Sequence, residues 1–127
     1  MEKKLRKRIL LVDDEAIVLD TYSALLSEKG YAVVTANCGR QAFEEFLLQS
    51  FDLVITDLTM SDGDGFTLIK EIRKKSPDTP VLVITGYGYQ QSIEEFVALL
   101  GANELIKKSC SNEIFIASVE NSLGTSV

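Results

Sequence analysis

Carboxylates, a hydroxyl and ammonium groups stand just past four short apolar runs of this 127-residue chain. Ile9-Leu10-Leu11-Val12 runs into Asp13-Asp14-Glu15, Leu53-Val54-Ile55-Thr56 into Asp57, Val81-Leu82-Val83-Ile84 into Thr85, and the run from Leu105 into Lys107-Lys108. Crowded carboxylates repel one another, which raises their pKa values and costs stability. A hard divalent cation removes that problem. Mg2+ suits one or two carboxylates plus waters and a phosphate, whereas an all-protein cage would point to Ca2+. A cation, a lysine and a hydroxyl facing one further carboxylate supply what phosphoryl transfer to that carboxylate requires: neutralised charge on the equatorial oxygens and an in-line nucleophile. Asp57 is the nucleophile on this reading.

Each residue also has a plain explanation. Asp13 or Asp14 would serve as a helix N-cap, Asp57 as a turn residue, Thr85 as a strand former and Lys108 as a solvated cation. Gathered at one sheet edge, those explanations require four coincidences. The absence of His from the chain narrows the chemistry further. It removes Ser-His-Asp and Cys-His catalysis within the chain, His-ligated zinc and a phosphohistidine carrier role. Cys38 and Cys110 lack C-x-x-C spacing and are too few for a disulfide framework, so they read as plain thiols of a reducing cytoplasm.

The elements that must position these residues alternate regularly. Predicted strands are Ile9 to Val12, Ala32 to Ala36, Asp52 to Thr56, Val81 to Thr85 and Leu105 to Lys107. Between them lie helix-period segments. Ile17, Val18, Tyr22, Leu25 and Leu26 mark a helix over about 15–29 with Gly30 just past its end; Ala42, Phe43, Phe46 and Leu47 mark a second. Phe66, Ile69 and Ile72 mark a third that ends before Pro77; Ile93, Phe96, Val97 and Leu100 mark a fourth, closed by Gly101. The fifth starts at Ser111, a predicted N-cap, and carries Ile114, Ala117 and Leu123. Five βα units imply a doubly wound α/β fold: a five-stranded parallel sheet, order 2-1-3-4-5, helices on both faces, with strands 1, 3 and 4 central. In such sheets the ligand site lies at the carboxyl ends of the strands, where the acids, Thr85 and the lysines fall.

With 46% hydrophobic and 25% charged residues the chain has a globular composition and the length of one domain, residues 1–127 with a core over about 7–123. Residues 1–8 hold five of the 13 Lys and Arg but only one of the 19 Asp and Glu, so the rest of the chain carries −10. So acidic a body argues against direct nucleic-acid binding, and the basic end reads as solvated. The apolar run Ile9 to Val12 is too short for a signal peptide or a membrane span.

At these motifs the sequence resembles the receiver domains of two-component response regulators, over residues 7–123. Leu10-Leu11-Val12-Asp13-Asp14-Glu15 matches the acidic-pair motif; Asp52 to Met60 followed by Asp64-Gly65 matches the phosphoacceptor motif. Pro80 to Gly88 resembles the switch-threonine strand, and Gly101-Ala102-Asn103-Glu104 leads into the lysine strand. The resemblance implies that Asp57 accepts a phosphoryl group from a phosphohistidine of a sensor histidine kinase or histidine phosphotransfer protein. It implies that Asp14 and Asp57 ligate Mg2+ together with the backbone carbonyl of Thr59, while Asp13 acts mostly through water. It places the lysine at Lys108, pairing with one phosphate oxygen, and brings the Thr85 hydroxyl to another. That movement would reset a surface around the fourth helix for a downstream output protein or domain. The first helix would meet the kinase, and a homodimer formed on phosphorylation stays open. The role implied is that of a signalling phosphoprotein, not an enzyme, assisting at most its own phosphotransfer and autodephosphorylation.

Departures from the pattern are specific. Ser109 stands where the family has a proline in a cis peptide, and a cis bond to any other residue costs about 2.5 to 4 kcal/mol. Leu105 replaces an aromatic switch residue, which removes an aromatic rotamer readout there and points to Tyr87 or Tyr89 instead. Ser61 and Gly63 loosen the phosphoacceptor loop. Tyr87 would border the path of the hydrolytic water and shield the acyl phosphate. A calcium loop counted from Asp62 puts Thr67, and one from Asp57 puts Asp62, where glycine is required. Acids at the first strand end would repel a flavin phosphate, and Leu58-Thr59 after Asp57 breaks the D-x-D of aspartyl-phosphate phosphatases. The remaining alternative is a phosphorylation-independent interaction module that kept the acidic pocket.

Overall fold

The computed structural model describes residues 6–58, 60, 65–86, 98 and 101–124. Along the chain these form β1 (Arg8–Val12), α1 (Ala16–Glu28), β2 (Ala32–Ala36), α2 (Gly39–Leu48), β3 (Leu53–Asp57), α3 (Gly65–Lys75), β4 (Val81–Thr85), β5 (Glu104–Lys107) and α4 (Asn112–Leu123). All neighbouring strands are parallel and the sheet order is β2-β1-β3-β4-β5, as the alternation predicts. β3 and β4 are buried along their whole length and β1 from Ile9 onward, which is why their sequences are near-continuous apolar runs.

The period of two along each strand divides the core between the two faces of the sheet. Leu10, Val12, Val54, Val81 and Val83 pack with Ala42 of α2 and Leu68, Ile69 and Ile72 of α3. Ile9, Leu11, Leu53, Ile55, Leu82 and Ile84 pack with Tyr22 and Leu26 of α1 and Phe115 and Val119 of α4. A sheet clamped on both faces holds its strand ends rigidly, and that edge carries the candidate site.

Element ends follow the chemistry of single residues. Ser111 caps α4, its Oγ accepting the Ile114 N–H at 3.2 Å, as predicted. Gly30 and Gly101 stand at φ +93° and +95°, which a side chain would resist. Strand β3 runs 53–57 rather than 52–56: Asp52 is spent on β1, its carboxylate accepting the Arg8 N–H at 2.8 Å, while Asp57 pairs with Ile84 as a true strand residue. Three large residues assigned to apolar helix stripes are exposed instead, Ile17 (75%), Leu47 (52%) and Ile114 (53%), as is the smaller Ala117. Tyr22 with Leu26, Ala42, and Phe115 with Val119 set the buried stripes, and the three residues fall about 100° or more around the helix from them. The fourth amphipathic segment lies outside the described residues except for Ala98, whose carbonyl accepts the Gly101 N–H at 3.0 Å.

Candidate functional site

Asp13 follows β1 without leaving its ladder, since its N–H still donates to the Ala36 carbonyl of β2 at 3.2 Å. It is fully buried, and its Oδ1 accepts the Glu15 N–H at 2.8 Å, a turn that swings the chain into α1. Neither Asp13 nor Asp14 caps that helix. Glu15 occupies the N-cap position without a side-chain cap bond, which leaves both aspartates at the sheet edge. Asp57 ends β3 at 5% exposure, and the Leu58 N–H beyond it donates to the Ile84 carbonyl at 3.2 Å. Thr85 ends β4, also buried; its carbonyl accepts the Lys108 N–H at 2.7 Å, which draws the β5–α4 turn to the same edge.

Lys108 is the lysine that reaches the acids. Its Nζ lies 2.8 Å from Asp13 Oδ2, 2.8 Å from Glu15 Oε1 and 3.1 Å from Asp57 Oδ2. Burial alone would lower its pKa, but the Asp13, Glu15 and Asp57 carboxylates outweigh that and hold it well above the ordinary lysine value. It is an ammonium at any physiological pH. Burial pushes the Asp57 carboxyl up; Lys108 pulls it back down, and Asp13 adds to the rise.

One carboxylate oxygen from each of Asp13, Asp14 and Asp57 lies within 4.8 Å of the others. Oxygens around an octahedral Mg2+ stand roughly 3 to 4 Å apart, so a small contraction would bring the three into one coordination sphere. All are hard oxygen donors, and exposed Asp14 leaves a side open to water. The donor set fits Mg2+.

The residues singled out in the sequence are thus brought together: Asp13, Asp14, Asp57, Thr85 and Lys108 share one edge. Thr59 lies outside the described residues, as do Ser61 to Asp64, Tyr87 and Tyr89. The Lys108–Ser109 peptide is trans, and Leu105 packs against the α2–α3 side of the core. Sequence reasoning missed two working parts. Glu15 closes the carboxylate shell around Lys108, and Gly65 lies so close under β3 that a Cβ there would overlap the Asp57 carbonyl and come within 2.9 Å of the Leu58 carbonyl. Both sit inside motifs already noticed, but only the folded geometry assigns them a contact.

Fold and site define an α/β module of the CheY-like, flavodoxin-like class. The model of the response regulator receiver domain family matches residues 9–120, and the chain belongs to that family. It is 40% identical over 99 residues to the transcriptional regulatory protein ZraR of Escherichia coli K12, covering 78% of this chain and 22% of ZraR. Transcriptional regulatory protein GlrR of the same organism is 33% identical over 117 residues, 91% of this chain and 26% of GlrR. The chain therefore spans about a quarter of the length of these relatives. Among solved structures, a CheY-like receiver domain protein from Methanospirillum hungatei superposes with a TM-score of 0.88 at 26% identity, covering 94% of this chain and 95% of that one. NtrX from Brucella abortus gives 0.88 at 29% identity, over 95% of this chain and 28% of NtrX. Receiver domains are signalling modules that generally bind Mg2+, and response regulators work with histidine kinases and output domains. No helix among the described residues is long and apolar enough to cross a membrane.

Proposed function

We propose that this chain is a cytoplasmic phosphoacceptor, a single receiver domain over residues 1–127, in which Asp57 takes a phosphoryl group from a phosphohistidine of a sensor histidine kinase or histidine phosphotransfer protein. The observation that carries this is a buried strand-end carboxylate 3.1 Å from a lysine ammonium, with two further aspartates within 4.8 Å. The donor's histidine comes from the partner, consistent with a chain that has none.

An Asp57 carboxylate oxygen attacks phosphorus, the donor's P–N bond breaks, and its electron pair returns to the imidazole. Asp57 must be ionised to attack; Lys108, bound to its Oδ2, favours that form against the cost of burial. Lys108 then offers its charge to a phosphoryl oxygen, and the Thr85 hydroxyl takes another. Asp14, Asp57 and the Thr59 carbonyl would hold Mg2+, with Asp13 acting through water. Mg2+ supplies charge neutralisation for the entering phosphoryl group. The new acceptor oxygens bias the surface read by a downstream output protein or domain. The receiver itself, with its acidic body, makes protein rather than nucleic-acid contacts, and it is not an enzyme.

Intact mass after incubation with acetyl phosphate tests this. With Mg2+ the wild type should gain about 80 Da, one phosphoryl group, and it should gain none with a chelator. No gain in Mg2+ would favour a phosphorylation-independent interaction module.

A further inference from the structure

Lys108 is held by more than its ammonium. Its N–H is fixed to the end of β4 at Thr85, and its carbonyl accepts the Tyr22 hydroxyl of α1 at 3.1 Å. Tyr22 is 7% exposed, and its ring lies flat on Phe115 of α4, 4.0 Å between centroids and 8° between planes. Phe115 is fully buried, so the ring cannot swing away and the hydroxyl keeps its aim. A buried tyrosine hydroxyl needs a partner, and the Lys108 carbonyl is one. Burial and the neighbouring Cys110 raise the Tyr22 pKa above its ordinary value, so the hydroxyl stays a donor at neutral pH.

The carbonyl it grips belongs to a short turn closed by the Cys110 N–H on the Lys107 carbonyl at 3.1 Å. Lys108 and Ser109 are the central residues of that turn, and neither is a proline that would fix its dihedrals. Displacement of this turn would redirect the Lys108 side chain, and the error would be greatest at Nζ, the far end. A hydroxyl on the Lys108 carbonyl opposes that displacement.

We propose that Tyr22 is a positioning residue for Lys108: by fixing the Lys108 carbonyl from α1, its hydroxyl sets the direction in which the lysine reaches Asp13 and Asp57. The placement of the ammonium stands on geometry alone; its effect on phosphorylation rests on the proposed role of Asp57.

Tyr22→Phe keeps the ring on Phe115 and removes only the hydroxyl. In the unphosphorylated protein, Lys108 should become at least threefold more reactive toward a trace amine-acylating reagent, read by peptide mass spectrometry and normalised to exposed Lys29 and Lys70. Labelling by acetyl phosphate in saturating Mg2+ should slow by at least threefold. In a Lys108→Ala background the same substitution should change the labelling rate no further, because Tyr22 acts through the lysine. Unchanged Lys108 reactivity, or equal slowing with and without the lysine, would overturn the proposal. A wild type that takes no label would defeat the phosphoacceptor reading instead, and the reactivity comparison would still decide the role of Tyr22.

Discussion

Two partly buried cations sit at opposite ends of the same sheet, and they are held in opposite ways. Lys108, past the carboxyl end of β5, faces the carboxylates of Asp13, Glu15 and Asp57. Arg73, in the last turn of α3, reaches past the amino ends of β4 and β5 to neutral acceptors. It donates to the Gly101 carbonyl from Nε and Nη2 at 2.9 and 2.6 Å, to the Thr79 carbonyl at 2.6 Å and to Asn103 Oδ1 at 3.2 Å. Asn103 Oδ1 also accepts the Val81 N–H at 2.7 Å, so one guanidinium ties α3 to the starts of β4 and β5. Around Arg73 each donor meets a dipole and the geometry is complete. Around Lys108 negative charge exceeds positive charge, and the excess is what a divalent cation would offset. The partners of a partly buried cation thus separate a structural staple from a site.

Substituting each cation in turn should widen that contrast. Arg73→Ala removes a set of charge-assisted bonds and should cost about 2 to 4 kcal/mol of unfolding free energy, unchanged by Mg2+. Lys108→Ala should cost about 1 to 3 kcal/mol in chelator, less because exposed Asp14 and Glu15 let water into the cluster. Mg2+ should stabilise Lys108→Ala more than it stabilises the wild type, because the lysine no longer competes for the carboxylates. Denaturant melts with and without Mg2+ measure both, and equal Mg2+ responses in the two variants would erase the distinction.

Asp57 gives a smaller effect of defined sign. Its folded pKa is raised, so between the unfolded and folded values the folded state binds more protons and stability falls as pH rises through that window, just above the ordinary Asp range. At neutral pH without Mg2+, Asp57→Asn should therefore melt at a higher temperature than the wild type, and the gap should close on acidification through the same window. A lower melting temperature for Asp57→Asn would show that Lys108 more than offsets burial. Smallest of all, Ser111→Ala should cost about 1 kcal/mol by uncapping α4 just past Lys108, with no change in the Mg2+ response.

Sheet order and the position of the site were legible because both follow from local pattern. Short apolar runs alternating with helical segments leave few topologies, and a doubly wound sheet puts its ligands at the strand ends. What eluded the sequence depends on angles around a helix and on reach between elements. Ile17 and Ile114 belong to apolar-rich helical segments but lie about 100° or more around the helix from the buried stripe, and only the packing of Tyr22 on Phe115 shows where that stripe runs. Tyr22 itself read as one more apolar core residue, although a tyrosine in such a stripe signals that its hydroxyl has a partner to find. Glu15 lies 93 positions from Lys108, a pairing that no periodicity encodes.

The claim at the centre is that phosphate lands on Asp57. Borohydride reduction after phosphorylation by acetyl phosphate in Mg2+ converts an aspartyl phosphate to homoserine, which peptide mass spectrometry locates by residue. Homoserine at position 57, and its loss in Asp57→Asn, is the expected result. Homoserine at Asp13 or Asp14, or none at any position, would contradict it.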